Sequence, residues 1–193
     1  MGVTKMKVYF DTEFTGLNKN ADLISIGLIS DNGKEFYGEI SGINPNKQEN
    51  WIRSNVLDNT VEYGEALVLD IVENEDDYYV GDKSYIASQL REWLMQFADV
   101  ELVSDVCHYD MVLFIDLFGS AFDLPDNVCP SCHDINQDIA EIYNMTEKEA
   151  FDYSRELILQ GNNINTDGAK HNSMYDARVI KSIYEILKND RKI

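Results

Sequence analysis

The sequence predicts an α/β protein, and three observations carry that prediction. Apolar runs of strand length stand near the N-terminus, at Met6–Phe10, Leu23–Ser30 and Glu35–Ile40. A helical stripe over Tyr85–Phe97 and a further strand-like run over Val100–Val106 follow. From there to the C-terminus, apolar residues recur at helical spacing. At 193 residues, one domain spanning 1–193 is expected, long enough to bury one good core. The hydrophobic fraction of 44% and aromatic fraction of 11% suit a globular chain rather than a disordered one.

Each element has a local reason. Met6 to Phe10 reads as a buried strand. Leu23–Ser30 and Glu35–Ile40 flank Asp31-Asn32-Gly33, and an Asn-Gly step favours a tight hairpin because both residues tolerate positive φ. Asn44-Pro45-Asn46 breaks the chain. In Tyr85–Phe97, Ile86, Leu90, Trp93, Leu94 and Phe97 fall on one stripe. The Val100–Val106 strand leads to a helix carrying Met111, Val112, Phe114, Ile115 and Phe118. Ile135–Tyr143 and Glu147–Leu159 are expected to be helical, the second capped by Thr146 with acidic residues in its first turn. Gly161-Asn162-Asn163 stops it, and Asn163 to Lys170 form the loop that delivers His171. The last run, with Val179, Ile180, Ile183, Tyr184 and Leu187 at helical spacing, begins at His171-Asn172-Ser173.

The chemistry starts at Asp11 and Glu13, two residues apart at the end of the first apolar run. In an extended strand such residues point to one face. Two carboxylates held that close repel, and a divalent metal is the natural resolution because hard cations take carboxylate oxygens. A strand end running into a polar turn is the competing reading. At the other end, His171 and Asp176 lie five apart and do not share one continuous helical face. A helix that begins just after His171 would let the imidazole lean back over a site while Asp176 points into it. A histidine before a helix also serves as a cap, and an Asp in the second turn is often only solvated.

Together, Asp11-Thr12-Glu13, the middle segment Ser104-Asp105-Val106-Cys107-His108-Tyr109-Asp110, and His171 with Asp176 resemble the motifs of the DEDDh 3′-to-5′ exonucleases. They occur in the right order and span nearly the whole chain. Leu23-Ile24-Ser25-Ile26-Gly27 and Trp51-Ile52-Arg53-Ser54-Asn55-Val56-Leu57 look like the small bacterial ribonuclease T-related exoribonucleases acting on adenylate-containing RNA. The resemblance implies a ribonuclease H-like mixed sheet with flanking helices, built as a single exonuclease domain. It also implies that Asp11, Glu13, Asp110 and Asp176 hold two divalent ions, Mg²⁺ or Mn²⁺. Asp110 is expected in that set rather than Asp105 because an apolar helix follows it. His171 would take the proton from the attacking water, and Glu13 would also accept the terminal 3′-hydroxyl. Phe14, Thr15 and Leu17, next in sequence, are the expected contacts to the terminal nucleotide. Many relatives carry Asn where this chain has Val106.

The implied reaction releases 5′-mononucleotides from single-stranded or short RNA 3′ ends. A proofreading-type DNA exonuclease uses the same residues and stays open, since nothing in the sequence is seen to read a 2′-hydroxyl. An inactive nucleotide- or protein-binding module on the same fold is disfavoured, because the four acids and the histidine are all kept. A homodimer is a further expectation of the resemblance.

A net charge of −19 argues against gripping long nucleic acid through its phosphates. It favours a modest footprint on a frayed 3′ end. Between Arg53 and Lys83 there is no basic residue, while Asp58, Glu62, Glu65, Asp70, Glu73, Glu75, Asp76, Asp77 and Asp82 accumulate; a solvated loop or face is expected there. Cys129-Pro130-Ser131-Cys132-His133 matches haem-attachment, redox and zinc spacings in form. No second cysteine pair follows, so a loop between two helices with incidental thiols is expected. No apolar run is long enough to cross a bilayer and no secretory h-region precedes the first strand, so no membrane partner is expected and the cytoplasm is the expected location.

Overall fold

A computed structural model of the chain describes residues 5–63, 77–165 and 168–191. Its strands are β1 (Met6–Phe14), β2 (Leu23–Ser30), β3 (Glu35–Ile40), β4 (Tyr78–Gly81), β5 (Val100–Ser104) and β6 (Val128–Asp134). The α-helices are α1 (Asn50–Asn55), α2 (Lys83–Leu94), α3 (His108–Phe118), α4 (Ile135–Ile142), α5 (Glu147–Asp152), α6 (Arg155–Gly161) and α7 (Ser173–Asp190). One sheet runs in the order β4-β3-β2-β1-β5-β6. β1, β2 and β3 pair antiparallel, whereas β5 lies parallel to β1, β6 to β5 and β4 to β3. This is the α/β mixed sheet with flanking helices that the sequence predicts.

The pleat divides the core into two layers. Val8 and Phe10 of β1 point to one face, where Ile86, Leu90, Trp93 and Leu94 of α2 meet Leu113, Phe114 and Leu117 of α3. Tyr9 points to the other face, with Ile135 and Ile139 of α4 and Ala177, Ile180, Ile183 and Leu187 of α7. By the same alternation, Asp11 and Glu13 share the α7 face and Thr12 the α3 face.

The hairpin forms where Asn-Gly predicts it. Ser30 N–H donates to Lys34 C=O at 2.9 Å, Gly33 N–H returns to Ser30 C=O at 3.0 Å, and Gly33 takes φ +84°. Helix α2 begins two residues before the expected Tyr85, because the Asp82 carboxylate accepts the Tyr85 N–H and caps it. The whole predicted stripe from Ile86 to Phe97 is buried, although Phe97 lies past the helix end.

Two expectations need correction. Residues 147–159 do not form one helix: Tyr153 is extended at ψ 127°, and Ser154 starts a second helix by accepting the Leu157 N–H. A serine that offers the backbone such a bond competes with helix continuation. Thr146 does cap the first piece, in a full capping box with Glu149. The Cys129–Cys132 segment is not a loop between helices but part of β6, a strand at the sheet edge. Pro130 is tolerated there because it falls in the register shift between the Val128 and Cys132 pairings of an edge strand, where no ladder N–H is required of it. Its three-dimensional role is to extend the sheet beside β5, and all three cysteines are free thiols.

The acidic stretch is only partly described: Glu65, Asp70, Glu73, Glu75 and Asp76 lie outside the described residues. Of the rest, Asp82 caps α2 and Glu62 accepts the Gly42 N–H at 3.1 Å. Among the described residues no helix is long and apolar enough to cross a membrane.

Helix α7 lies unusually close to the sheet. A Cβ on Gly27 would stand 2.4 Å from the backbone of Ser173 and Met174. Beside it, the Ser25 and Ser173 hydroxyls share a hydrogen bond at 3.0 Å. Because backbone rather than a flexible side chain would be struck, Gly27→Ala should cost about 3 kcal/mol or more, the upper range for overpacking. Gly33→Ala meets no atoms and only strains a positive φ, so about 1 kcal/mol is expected there. Urea unfolding of both variants checks the contrast; equal losses would refute the close seating of α7.

Candidate active site

Strand β1 runs four residues past the expected Phe10, which keeps Asp11, Thr12 and Glu13 in extended backbone. Their cross-strand neighbours decide what fits above them. Asp11 pairs with Gly27 and Glu13 with Ser25, the two small residues on which the first turn of α7 rests. That turn carries Asp176. One ligand oxygen each from Asp11, Glu13 and Asp176 lie within 4.8 Å of one another, although 163 residues separate Glu13 from Asp176 in sequence.

His171 reaches the group through an unusual turn. It adopts φ +64°, and its backbone N–H donates to Asp176 Oδ2 at 2.9 Å. Asn172 then caps α7, its side chain accepting the Met174 and Tyr175 N–H groups. The Asn172 amide also donates to Asn59 C=O at 2.9 Å, tying the cap to the segment after α1. Trp51 of α1 meets the His171 ring edge-on, with centroids 4.9 Å apart. The left-handed residue is what lets a histidine five positions before Asp176 lean back over the site.

Asp110 arrives from the opposite face, in the first turn of α3. Thr12 N–H and Thr12 Oγ1 both donate to Asp110 Oδ1, at 3.0 and 2.6 Å. Asp110 is therefore held beside the tight group without belonging to it. Asp105, the alternative acid, is committed elsewhere: Arg155 grips it with two bonds of 2.6 Å. Val106, between them, is a β-branched residue at φ +52°, a strained conformation.

Phe14 and Leu17 both line the cleft over these acids, whose volume is about 790 Å³. Phe14 stacks on Tyr109, and Leu17 is 73% exposed. Thr15 closes a turn instead, its hydroxyl accepting the Asp22 N–H at 2.9 Å. Sequence reasoning overlooked Thr12 and Trp51. Thr12 had a signal, since alternation assigns it to the α3 face.

No lysine or arginine forms an ion pair with the four acids among the described residues. Burial, reinforced by Asp110, Asp176 and Glu13, pushes the Asp11 carboxyl well up. Burial does the same to Glu13, with Asp176 and Asp110 adding repulsion. Burial raises Asp110 to about 6 despite the Thr12 bonds, and Asp176 to about 7 despite the His171 N–H. Burial, then Lys170, lowers His171. An all-carboxylate set with no protein counter-charge fits a hard divalent cation.

The family model described as the 3′-5′ exoribonuclease Rv2179c-like domain matches residues 6–187. The 3′-5′ exoribonuclease Rv2179c of Mycobacterium tuberculosis is 35% identical over 52 residues. That stretch covers 27% of this chain and 31% of the curated relative, so under a third of its length is matched. Among solved structures, the nuclease domain of 3′hExo, a DEDDh family member bound to rAMP, aligns with TM-score 0.66 at 12% identity. The alignment covers 96% of this chain and 92% of that one. Pop2p of S. pombe, in a Mg²⁺- and Mn²⁺-bound form, aligns with TM-score 0.57 at 13% identity, over 95% and 82% of the chains. At such identities these structures establish the shared ribonuclease H-like fold.

The raised carboxyls make a stability prediction with a definite sign. A carboxyl held above its unfolded value of about 4 binds its proton more tightly in the folded chain. Its favourable contribution is complete below pH 4 and is lost as pH rises through about 7, the value for Asp176. Asp176→Asn should therefore melt increasingly above wild type between pH 5 and 8 in chelator. Mn²⁺ should reverse that order at pH 8. Differential scanning fluorimetry reads both effects, and a pH-independent difference would contradict the buried, unpaired carboxyl.

Proposed function

The chain belongs to the 3′-5′ exoribonuclease Rv2179c-like domain family, and on that premise we propose a hydrolytic, metal-dependent 3′-to-5′ exoribonuclease. It would release 5′-mononucleotides from single-stranded or short RNA 3′ ends. The observation that carries the reading is the convergence of Asp11, Glu13 and Asp176 oxygens within 4.8 Å, with no lysine or arginine paired to them among the described residues.

Asp11, Glu13 and Asp176 would hold divalent metal, Mg²⁺ or Mn²⁺, with Asp110 completing the set from the α3 side. Bound there, two such ions would lower the pKa of water and neutralise charge on the attacking and leaving oxygens. Thr12 keeps Asp110 Oδ1 engaged, so the other oxygen is the one that would reach metal. His171 is the proton acceptor for the attacking water. Its lowered pKa keeps the ring neutral near pH 7, the form able to accept a proton. The bond from its own N–H to Asp176 ties its backbone to the ligand set. Glu13, the residue before the Phe14 wall, would also accept the terminal 3′-hydroxyl. Phe14 and Leu17 would contact the terminal base, with Thr15 shaping the turn that carries Leu17.

RNA is preferred over DNA here on the family alone, and a homodimer of single-domain chains accompanies the reading. The His171→Ala variant should lose about 10²–10⁴-fold in kcat while the metal concentration for half-maximal rate stays put. Asp110→Asn should instead raise that metal requirement. A ladder assay on 5′-labelled RNA with Mg²⁺, Mn²⁺ or EDTA tests both. Full activity of His171→Ala, or cleavage in EDTA, would overturn the mechanism.

A further inference from the structure

The cleft is poorly equipped to hold nucleic acid by charge. Among the described residues, Arg155 and Lys170 are its lysine and arginine lining residues, and both are occupied. Arg155 is bound to Asp105, and Lys170 pairs with Glu156 at 3.2 Å. Facing them are seven acids, the four proposed metal ligands together with Asp105, Asp152 and Glu156. With the four ligands given to metal, and Asp105 and Glu156 paired to these two cations, Asp152 remains. Phosphates beyond the metal site would therefore find no free lysine or arginine among the described lining residues to hold them. Whatever holds the strand upstream must be indifferent to charge.

Aromatic rings are the available surface. On one side Phe14 lies against Tyr109, centroids 5.8 Å apart and planes at 29°. At the break between α5 and α6, Phe151 and Tyr153 also line the cleft, 61% and 38% exposed. Phe151 joins neither packed cluster of the two core layers. A ring left this exposed beside a cleft does little for folding. The break that presents it is nonetheless firmly held. Arg155 Nη1 donates to the carbonyls of Ala150 and Tyr153, on both sides of Phe151, while its other nitrogens hold Asp105 and Asn136. Tyr153 is buttressed from behind by Tyr143, ring centroids 5.9 Å apart.

We propose that Phe151 and Tyr153 form a second stacking subsite, which takes the unpaired base on the 5′ side of the scissile phosphate. The inference rests on the exonuclease reading of the same cleft. Base–aromatic stacking tolerates any base and needs no cation, so it suits a chain of net charge −19. A base must leave its duplex to stack there, so the substrate class is single-stranded nucleic acid. The Arg155 clamp acts as a positioning device: the same contacts that settle Asp105 fix the platform.

The test uses two single-stranded RNA oligomers, identical except that one lacks its penultimate base. Wild type, Phe151→Ala and Phe151→Trp are compared on both, with melting curves as a check on folding. Phe151→Ala should raise KM on the intact oligomer roughly tenfold or more. Phe151→Trp should restore it, and on the abasic oligomer Phe151→Ala should match wild type. No change on the intact oligomer, or the same loss on both, would overturn the subsite. If wild type cleaves neither, the exonuclease reading fails. Equilibrium binding of the same two oligomers then decides the subsite by the same comparison.

Discussion

The first turn of α7 rests directly on β2, and the site depends on that contact. Gly27 and Ser25 are small enough for the Ser173–Met174 backbone to lie against the sheet. They are also the cross-strand partners of Asp11 and Glu13. A larger residue at either place would lift the helix and carry Asp176 away from the other two acids. Packing, in effect, forces like charges together. The burial that follows raises all of their pKa values and leaves an acidic, cation-poor cleft, the one proposed to take metal.

Alternation along β1 then assigns two tasks to adjacent residues. Asp11 and Glu13 look toward α7, whereas Thr12 looks toward α3 and holds Asp110 with both its N–H and its hydroxyl. The four acids consequently differ. Burial raises both Asp110 and Asp176, while the Thr12 bonds hold the first back and the His171 N–H and Lys170 the second. The glycine contact thus sets the position of one wall, and a single threonine secures the other.

Much of this was legible in the sequence where the signal is local. The Asn-Gly turn, the Ile86–Phe97 stripe and the Thr146 cap each depend on residues within a few positions of one another. Local reasoning failed where two readings compete. Ser154 can continue a helix or begin one, and the choice falls to Arg155, which finds Asp105 fifty residues away. The Cys129–Cys132 run has no strand pattern because an edge strand beside β5 obtains its order from its neighbour.

The sequence by itself determined the α/β alternation, the strand whose continuation carries Asp11 and Glu13, and the helix that carries Asp176, because spacing encodes which residues share a face. It also supplied the residue types that the proposed chemistry needs. Only the tertiary structure decided that Asp105 is spent on Arg155 and leaves Asp110 beside the site. Only it brought Trp51 to His171 and the Phe151 break to the cleft wall. The physical reason is that such partnerships join residues far apart in the chain. They follow from how closely helix backbone can approach the sheet, a distance that no local periodicity contains.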